Sequence, residues 1–310
     1  MPYPTLVVLL GPTGVGKTSI SINLAHHFDA PIVSSDSRQL YKELIIGTAA
    51  PTPEVLSQVQ HYFIGTHSIF DHYSAGQYEQ DAIALLDRLF VKHPVVLLVG
   101  GSMMYIDAVC KGFDDIPSVD AKTRKKWQQI YAEKGLEYIQ QELTRLDPEH
   151  TQVVDMQNHK RILRALEVCS TTGKTYSELR IGKQKDRNFN IIKIGLNRPR
   201  AELYERINQR VDMMMQDGLL EEAKLYYPYK HLNSLNTVGY KELYEYMDGK
   251  CSLEEAVQKV KQDSRRYAKR QLTWFNSDKD IRWFHPDDEE EIINFVNLQL
   301  NIPGESCSSS

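Results

Sequence analysis

Leu6-Val7-Val8-Leu9-Leu10-Gly11-Pro12-Thr13-Gly14-Val15-Gly16-Lys17-Thr18, followed by the helix-like Ser19 to His26, is the stretch from which the fold can be read. Leu6 to Leu10 is a continuous apolar run, the pattern of a parallel strand buried on both faces. Strand, glycine-rich turn, Gly-Lys-Thr and helix in that order make a P-loop. Glycines let successive backbone N–H groups curl around a phosphate chain, and the helix N-terminus adds the positive end of its dipole. Lys17 brings a mobile point charge to the outer phosphates. The Thr18 hydroxyl is placed to hold Mg²⁺, a hard cation that takes oxygen ligands. Residues 11–18 are therefore the expected phosphate-binding loop.

Further strands flank this one. Ala30 to Ser35 reads as a strand ending at Asp36-Ser37-Arg38-Gln39. In an open α/β sheet the loops at the carboxyl ends of the strands face the ligand crevice, so Asp36 belongs on the P-loop edge. Asp36 with Gln39 is equally a capping box for a following helix. Spacing alone leaves both readings open. A helix follows Tyr73-Ser74-Ala75, with Tyr78, Ala82, Leu85, Leu86 and Leu89 at helical spacing. Pro94 to Val99 is a buried strand ending in Gly100-Gly101-Ser102. A P-loop NTPase usually carries an Mg²⁺-holding Asp at such a strand end. Its absence argues against phosphoryl transfer and leaves room for a phosphate chain that departs as a leaving group. The two glycines point to a close backbone approach to a ligand.

The composition changes after Gly112. Residues 120–185 are charged, helical in pattern and without a strand signal, and their strongest helix runs from about Gln157 to Ser170. Ile162, Ala165, Leu166 and Cys169 form its apolar stripe, and Lys160, Arg161 and Arg164 fall opposite. Arg124, Lys125, Lys126, Lys174, Lys183 and Lys185 add to a basic surface. Asn190 to Leu196 returns as a strand of the first sheet. In the next helix Leu203, Ile207 and Met214 repeat at helical spacing, and Arg210 falls on that same stripe. A buried charge needs a partner. An internal carboxylate would serve, but a phosphate oxygen at the P-loop is the preferred reading. A later helix ends in Arg265 to Phe275, where basic and aromatic residues interleave as they do on single-stranded nucleic-acid platforms or on an ordinary solvated helix edge.

The expected fold is α/β: a P-loop NTPase-like core with a parallel sheet and a helical insertion domain. Residues 1–119 and 186–300 form the discontinuous core with its C-terminal helices, 120–185 the insertion, and 301–310 a disordered tail. With 310 residues, 41% hydrophobic and 25% charged, the chain can bury a full core. No apolar run reaches bilayer length, and the start enters a strand at once without a signal peptide. Cys110, Cys169, Cys251 and Cys307 lie too far apart for a zinc or disulfide framework, which points to a reduced, cytoplasmic setting. A net charge of −4 makes local patches, and not the total, the guide to nucleic acid.

Taken together, the blocks at 11–18, 34–41, 47–49, 98–105, 164–167, 206–211, 238–242 and 268–275 resemble, in order, the bacterial tRNA dimethylallyltransferase (isopentenyltransferase) family over about residues 5 to 285. The resemblance implies that dimethylallyl diphosphate gives its prenyl group to N6 of adenosine 37 in a tRNA anticodon loop, with Mg²⁺ as cofactor and diphosphate leaving. Asp36 matches the family's catalytic base, a role suited to an amine whose lone pair is delocalised. Thr13, Lys17 and Arg210 match positions near the reacting groups, where leaving-group charge must be stabilised. Asp36, Ser37, Arg38, Gln39 and Ser102 are implied to contact tRNA near the target base. Arg124, the run Lys160, Arg161, Ile162, Leu163 and Arg164, and the run Thr237, Val238, Gly239, Tyr240 and Lys241 are implied to clamp the stem-loop. Ser102 stands where the family usually has Thr, and the hydroxyl is kept. A monomer is expected. The rival readings are a P-loop kinase, an enzyme prenylating free adenine nucleotides, and a non-catalytic RNA-binding module.

Overall fold

The computed structural model describes residues 3–182 and 184–300. Lys183, Cys307 and the tail expected at 301–310 lie outside the described residues. In chain order the elements are β1 (Thr5–Leu10), α1 (Lys17–Phe28), β2 (Ile32–Ser34), α2 (Pro53–Leu56), β3 (His61–Tyr62), α3 (Ala75–Leu89), β4 (Val95–Gly100) and α4 (Met103–Cys110). Next come α5 (Ala121–Leu146), α6 (Pro148–Thr151), α7 (His159–Thr172) and α8 (Tyr176–Leu179). The chain then forms β5 (Asn190–Leu196), α9 (Arg200–Gln216), α10 (Leu219–Tyr226), α11 (Tyr240–Met247), α12 (Leu253–Phe275), β6 (Ile281–Phe284) and α13 (Glu289–Leu300).

All six strands join one parallel sheet in the order β3-β2-β4-β1-β5-β6. β1 is buried along its whole length. Alternate side chains of a strand leave opposite faces, and β1 divides its residues accordingly. Val7 and Leu9 pack with Ile20 and Leu24 of α1 and with Leu203 and Ile207 of α9. Leu6, Val8 and Leu10 pack with Tyr78 and Leu86 of α3 and Ile106 of α4. Helices on both faces explain why β1 and β4 read as unbroken apolar runs. The strand order puts β2 and β4 on one side of β1 and β5 on the other, so the loops after β1, β2 and β4 open on one edge.

Two compact units result. One contains the residues up to Cys110 and those from Arg187 onward; the other is Lys111–Asp186. The second unit opens at Lys111, earlier than the expected Asp120, because its outgoing and returning segments bond to each other. Lys185 N–H donates to Lys111 O at 2.8 Å, and Gly182 N–H to the Asp114 carboxylate at 3.0 Å. Its core is Trp127, Ile139, Leu143, Ile162, Leu163, Ala165 and Leu166, with the Trp127 indole N–H on Ser170 Oγ at 2.8 Å. α5 is broken at Gly135, whose φ is 77°. Among the described residues no helix is long and apolar enough to cross a membrane.

The first residue of the returning core segment anchors it. Arg187 Nε donates to Val109 O at 2.8 Å, and Nη2 to Ala108 O at 2.7 Å and Glu79 Oε1 at 2.9 Å. The two carbonyls belong to the last turn of α4, where a cation is favoured. The side chains of Arg187 and Glu79 are only 10% and 7% exposed. Arg187→Ala removes one cation beside a buried carboxylate together with the donors to the Ala108 and Val109 carbonyls, and should cost about 3 kcal/mol in denaturant unfolding. Arg187→Met combined with Glu79→Leu should recover most of that loss. A single-variant loss below about 1 kcal/mol would show that solvent screens the pair.

Candidate active site

The loop after β1 is built as a phosphate cradle. Gly11, Gly14 and Gly16 have φ of 153°, 79° and 112°. Gly16 is the N-cap of α1, so no side chain caps the helix, and its first turn carries no acid. The first-turn N–H groups are thereby left for an anion. Lys17 Nζ folds back onto Gly11 O at 2.9 Å and Pro12 O at 2.8 Å. Burial, with Arg210 adding to it and Asp36 opposing it, lowers the Lys17 pKa to about 7. Arg210 touches Thr13 Oγ1 at 3.5 Å, and burial lowers its pKa while Asp36 opposes the shift. Among the described residues no carboxylate forms a hydrogen bond or ion pair with Arg210, and Asp36 acts on it only through its charge. Two inward cations with no contacting carboxylate make a site for a polyanion.

Asp36 lies beyond β2, but no helix follows it; residues 37–40 are turns. Of the two readings left open, the capping box is therefore not formed. Asp36 Oδ1 accepts from Arg38 N–H at 2.8 Å and Gln39 N–H at 3.2 Å, an Asx turn. Gln39 does not reach back; its Nε2 donates to Thr48 O at 3.2 Å and Ala49 O at 3.0 Å. Asp36 Oδ2 has no hydrogen-bond partner among the described residues. Ser102 Oγ accepts from Ser37 N–H at 2.8 Å and lies 3.1 Å from Ser37 Oγ, so its contribution is to fix the turn. Arg38 Nη1 is held by Asn233 O at 3.2 Å and Ser234 O at 3.1 Å.

Two cavities meet at these residues. The larger, about 830 Å³, runs along the P-loop past Gly14, Gly16, Lys17 and Thr18. The smaller, about 450 Å³, runs past Ser37, Arg38, Ser102, Thr237, Val238 and Lys241. Thr13, Asp36, Thr48, Arg210 and Tyr267 line both and form the wall between them. Glu222 holds one side of that wall. Its carboxylate accepts from the N–H groups of Ile45, Ile46 and Gly47 and from the Tyr240 hydroxyl.

The sequence reading did not identify Gln271 or Tyr267. Gln271 is buried on α12; its Oε1 accepts from Thr13 N–H at 2.9 Å, and its Nε2 donates to Gly101 O at 2.8 Å. It thus ties the P-loop to the end of β4. This adds an internal cause for the glycine pair. A Cβ on Gly101 would stand 2.4 Å from Gln271 Nε2, and one on Gly100 2.6 Å from the Ser35 carbonyl carbon. The close approach is therefore made to the protein's own Gln271 and Ser35, while both glycines also line the larger cavity. Tyr267, four residues earlier on α12, has its phenol pKa pushed up to about 12, chiefly by burial, and keeps its proton. Both lie on the inward stripe with Val260 and Ala268, and a polar residue on such a stripe is the signal that singled out Arg210.

Several expected RNA contacts differ in kind. Ile162 and Leu163 are buried in the core of the second unit, since α7 turns that face inward, and their side chains offer nothing to a surface ligand. Tyr240 is fully buried and serves Glu222. Gly239 is buried beside it, its N–H donating to Glu242 Oε2 at 2.8 Å, and still lines the smaller cavity. Lys160 and Arg161 are exposed and Arg164 is half-buried. Arg124 stands 4.0 Å from Glu167. Lys241 lines the smaller cavity while paired with Glu242 at 3.2 Å and Asp263 at 3.3 Å.

A central parallel strand that delivers a glycine loop and Lys-Thr to a helix N-terminus defines a P-loop protein, here with Gly-Gly-Ser where a metal-holding acid usually stands. The family model described as IPP transferase matches residues 39–278. The chain belongs to the IPP transferase family, and so to the prenyl-transferring enzymes. It is 57% identical over 296 residues to tRNA dimethylallyltransferase 1 of Bacteroides thetaiotaomicron, covering 96% of each chain. The full-length tRNA isopentenylpyrophosphate transferase of Bacillus halodurans, a solved structure, is 35% identical with a TM-score of 0.70, covering 96% of each chain. A eukaryotic dimethylallyltransferase solved acting on tRNA shares the fold, with a TM-score of 0.81 at 24% identity over 98% of this chain and 81% of that one.

Proposed function

We propose that the chain transfers the dimethylallyl group of dimethylallyl diphosphate to N6 of adenosine 37 in tRNA anticodon loops, as a cytoplasmic monomer. The observation that carries this reading is the shared wall. A diphosphate in the larger cavity and a flipped base in the smaller would meet at Thr13, Asp36 and Arg210. The N6–carbon bond forms as the carbon–oxygen bond to diphosphate breaks. The N6 proton passes to Asp36 Oδ2, and the bonding pair leaves with diphosphate. Lys17, Arg210 and the loop N–H groups stabilise the charge that collects there. Thr13, Arg210 and Lys17 thus serve the donor, and Asp36 the acceptor.

Mg²⁺ fits the donor set. Thr18 lines the larger cavity, and its hydroxyl has no hydrogen-bond partner among the described residues. Among the described residues no cluster of three or more His, Cys, Asp or Glu could cage a metal. One hydroxyl plus diphosphate oxygens and water suits Mg²⁺, which keeps its waters and travels with phosphates. When bound it would neutralise leaving-group charge.

Ser37, Arg38 and Ser102 are assigned to the entrance for the base, with Thr237, Val238, Gly239 and Lys241, while Gln39 lines the larger cavity and braces the loop at Thr48 and Ala49. Arg124, Lys160, Arg161 and Arg164 are assigned to the RNA stem-loop, together with the second unit that carries them. The deciding experiment mixes protein, Mg²⁺, labelled dimethylallyl diphosphate and an anticodon stem-loop carrying adenosine at position 37, beside one carrying guanosine. Label should enter the adenosine loop alone. Label on free AMP would favour the nucleotide-prenylating reading, and ATP consumption without RNA would favour the kinase.

A further inference from the structure

α9 lies hard against the P-loop: a Cβ on Gly14 would stand 2.9 Å from Ile207 Cγ1. The residue before Ile207 is Arg206, whose Nε donates to Gly14 O at 3.0 Å. That bond uses one of the five guanidinium donors. The two terminal nitrogens have no partner among the described residues. Arg206 is exposed and lines the larger cavity beside Gly14, Gly16, Lys17 and Thr18. Arg210 follows one turn later on the same face, about 5–6 Å away between Cβ atoms. It lines both cavities, whereas Arg206 lines only the larger. The two arginines therefore mark an axis from the reacting wall out along the loop.

We propose that Arg206 grips the terminal phosphate of the bound diphosphate, and that this contact makes the site select diphosphates over monophosphates. The inference rests on the donor-site reading above. Arg210 faces the phosphate bonded to carbon. Arg206, braced on Gly14 O, offers its paired terminal N–H groups to the outer phosphate in the planar fork that matches two oxygens. A monophosphate held by Lys17 and the first turn of α1 would leave Arg206 unfilled.

Calorimetric titration of the full chain with inorganic pyrophosphate and, separately, inorganic phosphate, both with Mg²⁺, tests this. Arg206→Gln keeps an N–H donor for Gly14 O but removes the fork. It should weaken pyrophosphate binding roughly 10–100-fold and leave phosphate within about twofold. Arg206→Lys keeps the charge without the fork and should fall between. In the transfer assay the loss should appear mainly in KM for the prenyl diphosphate. Unchanged pyrophosphate affinity in both variants, with binding lost in Lys17→Met, would overturn the role of Arg206 and leave the donor site standing. Unchanged affinity in Lys17→Met as well would remove the donor site and this inference with it.

Discussion

Asp36→Asn should lower turnover about 10²–10⁴-fold, the range that a positioned general base contributes. The substitution separates the two things this side chain does. An amide oxygen in place of Oδ1 still accepts from Arg38 and Gln39 N–H, so the turn is kept. An amide nitrogen in place of Oδ2 cannot take a proton. The loss should therefore fall on the chemical step, with pyrophosphate affinity within a few-fold of the parent. Asp36→Ala removes both functions and should add only the loss of the turn, on the order of 1 kcal/mol of stability by analogy with a helix cap. Near-normal single-turnover rates in Asp36→Asn would remove Asp36 as the base.

Lys17→Met should cost about 10²–10³ in transfer rate, the scale of losing one donor from a site that stabilises developing charge. Lys17 also carries a pH signature. Its pKa in the ligand-free site is about 7, lowered by burial and by Arg210 against the pull of Asp36. A bound diphosphate brings negative charge next to the ammonium and raises that pKa. At pH 8, binding must then take up a proton at Lys17, and affinity should fall as pH rises above 7, approaching tenfold per unit. Calorimetry in buffers of different ionisation heat reads the proton directly. The uptake should vanish in Lys17→Arg, which stays charged throughout. Stability follows the same linkage with a definite sign. The folded pKa lies below the ordinary lysine value of 10.5, so the unfolded chain binds more protons between pH 7 and 10.5. Lys17 therefore makes the ligand-free fold gain stability as pH rises through that window, and Lys17→Met should flatten the gain. Identical pH–stability curves for parent and Lys17→Met would refute the buried, poorly solvated lysine.

Much of the core could be read from the sequence because parallel strands covered on both faces leave long apolar runs, as in Leu6–Leu10 and Val95–Val99. The donor side of the site was legible for a related reason: a loop that wraps phosphate leaves glycines and Lys-Thr at fixed spacing. Other features were not resolvable from spacing. An Asp that caps a helix and one that closes an Asx turn accept from the same backbone N–H groups, so Asp36 and Gln39 look alike in either setting. A glycine pair declares a close approach but not what approaches, and at Gly101 it is Gln271, far along the chain. Basic runs on a helix bring inward-facing neighbours with them, which is why Ile162 and Leu163 travelled with Lys160 and Arg161. The role of Glu222 had no local signal, because its partners Ile45, Ile46 and Gly47 are brought to it only by the fold.

The doorway of the second unit has a consequence for how such a chain can change over time. The segment leaves after α4 and returns beside β5, and Arg187 joins the two ends by binding the carbonyls of Ala108 and Val109. All six sheet strands lie outside Lys111–Asp186. A recombination event that lengthens, shortens or replaces that segment would leave the sheet, the phosphate loop and the dividing wall between the cavities unaltered. On the proposed assignment of that unit to RNA, selection can revise which polymers are recognised while the transfer chemistry is inherited intact.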